Sequence, residues 1–333
     1  RLKTIQRLLL SMTVAIALLA LLLHWGELSL AEALGAWREL PLTTWLTVLA
    51  IHLGIYLCRT LRFAALLPGE RTPAFPQLLA ISSAHNLAAY VMPAKTGEAS
   101  LLLYLKGLCG ISGSVSLAAL LLSRLLDLFT VAASMSLVCA LLATSPRFDH
   151  LTWLGPLALV LAVTALALFL LLRFSDRMVL IAARPTALLA RRAPRLAERL
   201  SQTAVRLADA VTHAGGEGRL LRGLLLSLPL WLGVYLYFAV LARGVGMPTS
   251  VTFPESVFGA SLAVLSNLLP INGFAGFGTQ DAGWVLGFGA LGLPRATALT
   301  TALGFHLVHL ANVLLLGCLG HLGMGLSRGN GAA

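Results

Sequence analysis

Residues 268–284 read Leu-Leu-Pro-Ile-Asn-Gly-Phe-Ala-Gly-Phe-Gly-Thr-Gln-Asp-Ala-Gly-Trp and stand between two strongly apolar stretches. A helix that crosses a bilayer does not have this composition. Pro270, Gly273, Gly276 and Gly278 interrupt helical hydrogen bonding, and Asn272, Thr279, Gln280 and Asp281 bring polar groups to a depth where hydrocarbon offers no partner. Broken backbone survives there only where protein or a wet cavity surrounds it. A weaker copy, Val-Met-Pro-Ala-Lys-Thr-Gly-Glu-Ala, occupies residues 91–99, where Thr96-Gly97-Glu98-Ala99 parallels Thr279-Gln280-Asp281-Ala282. Two such interruptions, one in each half, are a sequence pointer to the substrate site of a transporter.

The surrounding composition agrees. With 58% hydrophobic and 11% charged residues, and a mean hydropathy of +0.88, the chain departs from soluble domains, whose charged share is about a quarter. It reads as an all-α polytopic membrane protein. The net charge of +11 is explained by basic loops between apolar runs and not by nucleic-acid binding, so no nucleic-acid partner is expected. Cys58, Cys109, Cys139 and Cys318 lie in or beside apolar segments without metal or redox spacing, which makes them small membrane hydrophobes.

Charge asymmetry orients the spans. Arg1, Lys3 and Arg7 precede an apolar run at residues 8–25, read as a retained first span, and acidic Glu27, Glu32 and Glu39 follow it, which places the N-terminus in the cytoplasm. A short interfacial helix at 31–40 leads to a second span at 42–58, after which Arg59, Arg62 and Arg71 mark the cytoplasmic side. Residues 112–143 and 151–172 form the next two spans. The latter runs into an arginine-rich stretch, the strongest cytoplasmic marker in the chain. Residues 77–107 must then begin and end inside. Their two arms are too short to cross roughly 30 Å of hydrocarbon, which takes about 20 residues. A re-entrant hairpin is therefore expected, with arms 77–92 and 98–106 and its tip at 93–97. The second half repeats the pattern upside down, with spans at 220–241 and 296–322 and a hairpin within 253–293.

The expected architecture is two inverted-topology repeats, each of three spanning helices plus one re-entrant helical hairpin. The first repeat takes residues 1–143 and the second 144–333, with a basic amphipathic insertion at 175–218. Spacing supports the duplication. Glu98 precedes Arg124 and Asp127 by 26 and 29 residues, and Asp281 precedes His306 and His309 by 25 and 28; residues three apart share a helix face. The insertion reads as helices lying on anionic inner-leaflet lipid. A regulatory or partner-docking role is its alternative.

Charges inside a bilayer are costly and need a reason. Arg124 with Asp127 reads either as an intrahelical ion pair or as part of a site. His306 and His309 read either as satisfied core histidines or as substrate contacts. At both hairpin tips the glycines free amide N–H groups, and helix begins again at Thr96–Ala99 and Gly278–Ala282, so amides and positive dipole ends face the tip. A lipid phosphate fits there with Lys95 and Arg124 as cations. Alternatively Glu98 and Asp281 cap those helices themselves. The candidate substrate-binding set is Lys95, Thr96, Gly97, Glu98, Arg124, Asp127, Asn272, Gly276, Gly278, Thr279, Gln280, Asp281, His306 and His309. No metal or cofactor is expected, and the chain has no Gly-x-x-x-x-Gly-Lys-Ser/Thr loop for ATP.

At these residues the chain resembles the transmembrane region of the lysylphosphatidylglycerol synthase family, the flippase-like integral membrane proteins. The resemblance rests on Pro93-Ala94-Lys95-Thr96-Gly97-Glu98, similar to that family's Pro-x-x-x-Gly-Glu, on Arg124-Leu125-Leu126-Asp127, similar to its Arg-x-x-Asp span, and on the stretch from Pro270 to Asp281. Lys95 stands where arginine is common in the family, and Asp281 where glutamate is usual. The soluble aminoacyl-transferase domain of some members has no counterpart in residues 1–333, so a complete aminoacyl-lipid synthase is not expected. The resemblance implies a lipid translocase.

Three readings stand at this point. The first is a flippase moving an anionic or lipid-linked substrate, of phospholipid or polyprenyl-phosphate type, between leaflets. The second is a membrane-embedded transferase acting on a lipid-linked sugar or aminoacyl group. The third is a non-catalytic partner of such an enzyme. The expected location is the bacterial cytoplasmic (inner) membrane, with both termini inside; the expected partners are membrane lipid, and a second copy of the chain or a separate lipid-modifying enzyme.

Overall fold

The computed structural model describes residues 39–67, 72–174, 218–267 and 274–329, together with positions 35, 177, 198, 202, 205–206, 208–212 and 216. The expected first span at 8–25, most of the interfacial helix at 31–40, most of the basic insertion, and residues 268–273 with Asn272 lie outside them.

Among the described residues nine α-helices follow in order: α1 Leu42–Leu66, α2 Phe75–Val91, α3 Ala99–Cys109, α4 Gly113–Ala143, α5 Leu154–Arg173, α6 Arg219–Gly244, α7 Phe253–Asn267, α8 Thr279–Ala290 and α9 Arg295–Gly329. Tight 3-10 turns at Pro93–Glu98, Pro146–Phe148 and Phe274–Gly276 complete the described residues, among which there is no strand. Five helices, α1, α4, α5, α6 and α9, are long and apolar enough to cross a membrane. Over their described residues the remaining four are not. At 17, 11, 15 and 12 residues, α2, α3, α7 and α8 fall below the roughly 20 that a crossing needs.

These short helices pair in sequence order. α2 folds back on α3 across the 3-10 turn at Pro93–Glu98, where Gly97 lies so close to the end of α2 that an added Cβ would sit 1.9 Å from the Ala88 carbonyl oxygen. No side chain fits there. α7 packs along α8 through small residues: a Cβ on Gly287 would lie 2.8 Å from the Gly259 Cα, and one on Gly283 1.7 Å from Ser266 Oγ. Close backbone approach of this kind replaces the hydrophobic drive that helices lack inside lipid. A third small-residue seam joins the halves, because Gly317 and Gly320 of α9 lie against Leu87 and Ala80 of α2. α1 and α6 pack along each other, with Gly233 facing Ile55 and Gly223 facing Leu66.

Two apolar clusters result. One gathers α4–α9 and the first part of α1 around Trp284, Phe288 and Phe305; the other gathers α1–α4 around Phe63, Leu78, Ile81 and Leu126. Ala210 and Val211, from the short described part of the basic insertion, are buried in the second cluster. α5 is the least enclosed span, with Leu159, Val160, Val163 and Leu166 all exposed, as a helix facing lipid requires.

One expectation needs correction. The second span does not stop at Cys58 with Arg59 and Arg62 in the cytoplasm beyond it. α1 runs unbroken to Leu66, which carries both arginines into the protein, and Arg62 is only 1% exposed. Nothing between Cys58 and Leu66 breaks a helix; Pro68 and Gly69 are the first breakers, and two arginines at i and i+3 do not by themselves mark a boundary.

Candidate functional site

A cavity of about 170 Å3 opens between the two halves, beside the turn that joins α2 to α3. The first half contributes His52, Arg59, Asn86, Tyr90, Lys95, Glu98, Arg124 and Asp127, and the second contributes Trp231, Tyr237, Asn267, Gln280 and His309. One wall is thus charged and the other is neutral, aromatic and amide-rich.

The charged wall is tied together from three helices. Arg62 Nη1 donates to Asp127 Oδ1 at 2.7 Å and to Ser227 Oγ at 3.0 Å, while its Nη2 donates to Ser123 Oγ at 2.8 Å. Asp127 Oδ1 also accepts from Trp231 Nε1 at 2.9 Å, and Oδ2 from Arg124 at 3.0 Å. Arg124 reaches across to Glu98 at 2.9 Å. Both carboxylates are therefore consumed by Arg62 and Arg124. Arg59 donates to Asn86 Oδ1 at 2.7 Å, and Asn86 donates to Tyr56 Oη at 2.6 Å. Among the described residues, neither Arg59 nor Lys95 has an ion-pair partner. The buried Nε atoms of Arg59 and Arg124 have no hydrogen-bond partner. The cavity thus carries uncompensated positive charge, and an anion is the ligand chemistry that balances it.

Glu98 does not cap α3. Its carboxylate turns to Arg124, with His85 Nε2 at 3.7 Å. Asp281 does cap, its Oδ2 accepting from the Gly278 N–H at 2.9 Å. Its other oxygen lies 2.9 Å from His306 Nδ1. The acid at or near the start of each short helix, Glu98 or Asp281, thus meets the first member of the polar i, i+3 pair in its own next span, Arg124 or His306. Backbone at the two turns corresponds as well: Lys95 has φ 57° and Gly278 has φ 80°, each three residues ahead of the acid. A non-glycine residue in that region is strained.

Of the candidate residues, Lys95, Glu98, Arg124, Asp127, Gln280 and His309 line the cavity. Asp281 and His306 sit immediately behind it, fully buried, with Phe277 stacked on the His306 ring at 3.9 Å. Thr279 donates to the Gly276 carbonyl at 3.2 Å, and Gly276 lies against Asn267 and Gln280; these two, with Gly97 and Gly278, shape the turns without lining the space. Thr96 is exposed. Asn272 lies outside the described residues. Sequence reasoning missed Arg59, Asn86, Tyr90, Trp231 and Tyr237. The uninterrupted helical register through Arg59 was a usable signal for the first; Tyr90, Trp231 and Tyr237 look like ordinary aromatic residues of apolar spans and gave none.

Fold and site together define a helical multi-pass integral membrane protein with an electropositive cavity held between its halves. The family model of the lysylphosphatidylglycerol synthase transmembrane region matches residues 8–317, and the chain belongs to that family. No curated protein and no solved structure matches it.

Proposed function

We propose that this protein is a lipid flippase that passes an anionic headgroup, of phospholipid or polyprenyl-phosphate type, between leaflets through the cavity. The observation that carries the reading is the pair of cations Arg59 and Lys95, without ion partners among the described residues, facing a neutral aromatic wall supplied by the other half of the chain. A phosphate would take the cations, and Trp231 and Tyr237 would pack the remainder of the headgroup.

The same reading takes α2–α3 and α7–α8 as re-entrant hairpins of two inverted repeats, 1–143 and 144–333. Their sub-spanning lengths, the matched Glu98–Arg124 and Asp281–His306 contacts and the corresponding turns support it. Rocking of one repeat against the other would open the cavity to each leaflet in turn. The protein would then reside in the bacterial cytoplasmic membrane with both termini inside. The basic insertion would rest on anionic lipid, near a second copy or a lipid-modifying enzyme.

The test is reconstitution of the pure protein in liposomes with fluorescent anionic and zwitterionic lipids. Leaflet exchange that favours the anionic lipid and falls in Arg59→Gln and Lys95→Gln supports the reading. A covalently altered lipid without exchange would replace it with a transferase.

A further inference from the structure

His306 is 0% exposed and Asp281 1%, and each nitrogen of the imidazole lies within hydrogen-bond reach of an oxygen. Nε2 lies 3.0 Å from the Ala275 carbonyl oxygen. A carbonyl has only lone pairs to offer, so this contact is a hydrogen bond only in the form that carries hydrogen on Nε2, whereas a bare Nε2 would accept from the Tyr90 hydroxyl at 3.2 Å. Nδ1 lies 2.9 Å from Asp281 Oδ1, and that contact needs a hydrogen of its own, either on nitrogen or on oxygen. With both contacts made as hydrogen bonds, the two residues together hold one proton more than a neutral imidazole beside a carboxylate. Whichever atom carries it, the pair is uncharged as a unit, which is the state a fully buried site favours.

Tyr90 leads from this pair to the cavity. Its hydroxyl, on α2 of the other half, is 3.2 Å from His306 Nε2 and 3.4 Å from Gln280 Oε1, and its side chain lines the cavity. The remaining ionisable neighbours are few. His309 on α9 bonds Tyr237 of α6 at 3.2 Å and stacks on His52 of α1 at 5.2 Å. Arg59 and Lys95 lie across the cavity, and α7 contributes the neutral Asn267 beside Gln280.

Resting on the flippase reading above, we propose that Asp281 and His306 form a proton-binding site that takes up one proton together with each anionic headgroup. Release proceeds from Nε2: its hydrogen passes to the Tyr90 oxygen as the Tyr90 hydroxyl hydrogen leaves to cavity water, while Nδ1–H keeps its bond to Asp281. Two changes follow. The bare Nε2 lone pair now faces the Ala275 carbonyl, which unties the 274–276 turn, where Ala275 holds φ 52°. The pair also becomes an anion that competes with a phosphate for Arg59 and Lys95. Proton and headgroup binding therefore reinforce each other, and the reinforcement is reciprocal.

The test uses the full chain in phosphatidylcholine liposomes containing NBD-labelled phosphatidylglycerol, with and without a one-unit pH gradient. One proton moving with one singly charged lipid is electroneutral, so the gradient alone should drive the probe to an uneven distribution approaching about tenfold between leaflets. Whatever exchange Asp281→Asn retains should stay even; if that variant does not fold, His306→Gln serves in its place. Exchange by the native chain that remains even under the gradient overturns the coupling and leaves the flippase reading standing. No exchange by the native chain overturns the flippase reading and the coupling with it. The proton itself is read independently of transport: infrared difference spectra of the purified protein between acidic and alkaline buffer should contain a carboxyl or imidazolium band that Asp281→Asn removes. A spectrum unchanged by that substitution refutes the proton site even where exchange occurs.

Discussion

Arg62→Met separates the helix boundary expected from charge from the one the fold adopts. Were Arg62 in an aqueous loop, its loss would cost at most about 1 kcal/mol, the range of exposed ion pairs. In the structure its guanidinium is 1% exposed and holds Asp127 at 2.7 Å, Ser227 at 3.0 Å and Ser123 at 2.8 Å. Removing one partner of such a buried pair costs about 3–5 kcal/mol, because the other charge is left without compensation. Arg124 and Trp231 still bond Asp127, so the lower end, about 3 kcal/mol, is expected. The companion Asp127→Asn removes the stranded charge while keeping an oxygen for the Trp231 N–H. In the double variant the costs should fall short of additivity by about 2 kcal/mol, within the range found for contacting residues. Unfolding in mixed micelles with increasing denaturing detergent measures all three. A loss below about 1 kcal/mol for Arg62→Met, with additive costs in the double variant, would refute the buried network and return Arg62 to the membrane surface.

Other substitutions probe the remaining parts. Arg59→Gln removes a cation that has no acid partner among the described residues, so stability should change little while anionic-lipid exchange falls roughly tenfold to a hundredfold, the equivalent of about 1.5–3 kcal/mol for a charge-assisted bond; unimpaired exchange removes Arg59 from the site. Gly97→Ala forces a Cβ to within 1.9 Å of the Ala88 carbonyl oxygen and should abolish a folded species on size exclusion, whereas Gly107→Ala, with open space around it, should be tolerated. At the α4–α5 turn, Arg147 is 52% exposed and pairs with Glu255, 3% exposed, at 3.0 Å. Arg147→Ala should cost less than about 1 kcal/mol in the same detergent unfolding. Glu255→Ala should cost more, about 1–2 kcal/mol, because Glu255 also accepts the Thr252 N–H at the start of α7.

The helical class, the five described spans and the two breaks were legible from residue types alone. Hydrocarbon admits continuous apolar helix and penalises anything else, so runs such as Leu154–Arg173 and interruptions such as Pro93–Glu98 announce themselves. The matched spacings from Glu98 to Arg124 and from Asp281 to His306 are legible too, but that each acid bonds its partner is seen only in the packed structure. Charge counting failed at Arg59 and Arg62. An arginine beside an apolar run satisfies the loop rule equally well when the helix continues and an acid waits inside, and only the packing of α1 against α4 and α6 shows that Asp127, Ser123 and Ser227 wait there.

The sequence by itself determined where the chain must break and which polar residues must be accounted for, because each is a local violation of what a bilayer tolerates. Only the tertiary structure decided which cations remain without an acid, that Tyr90 reaches across to His306, and that Glu98 pairs while Asp281 also caps. Those are pairings between elements far apart in the chain, set by which helix faces meet, and partner choice leaves no local trace in the residues that make it.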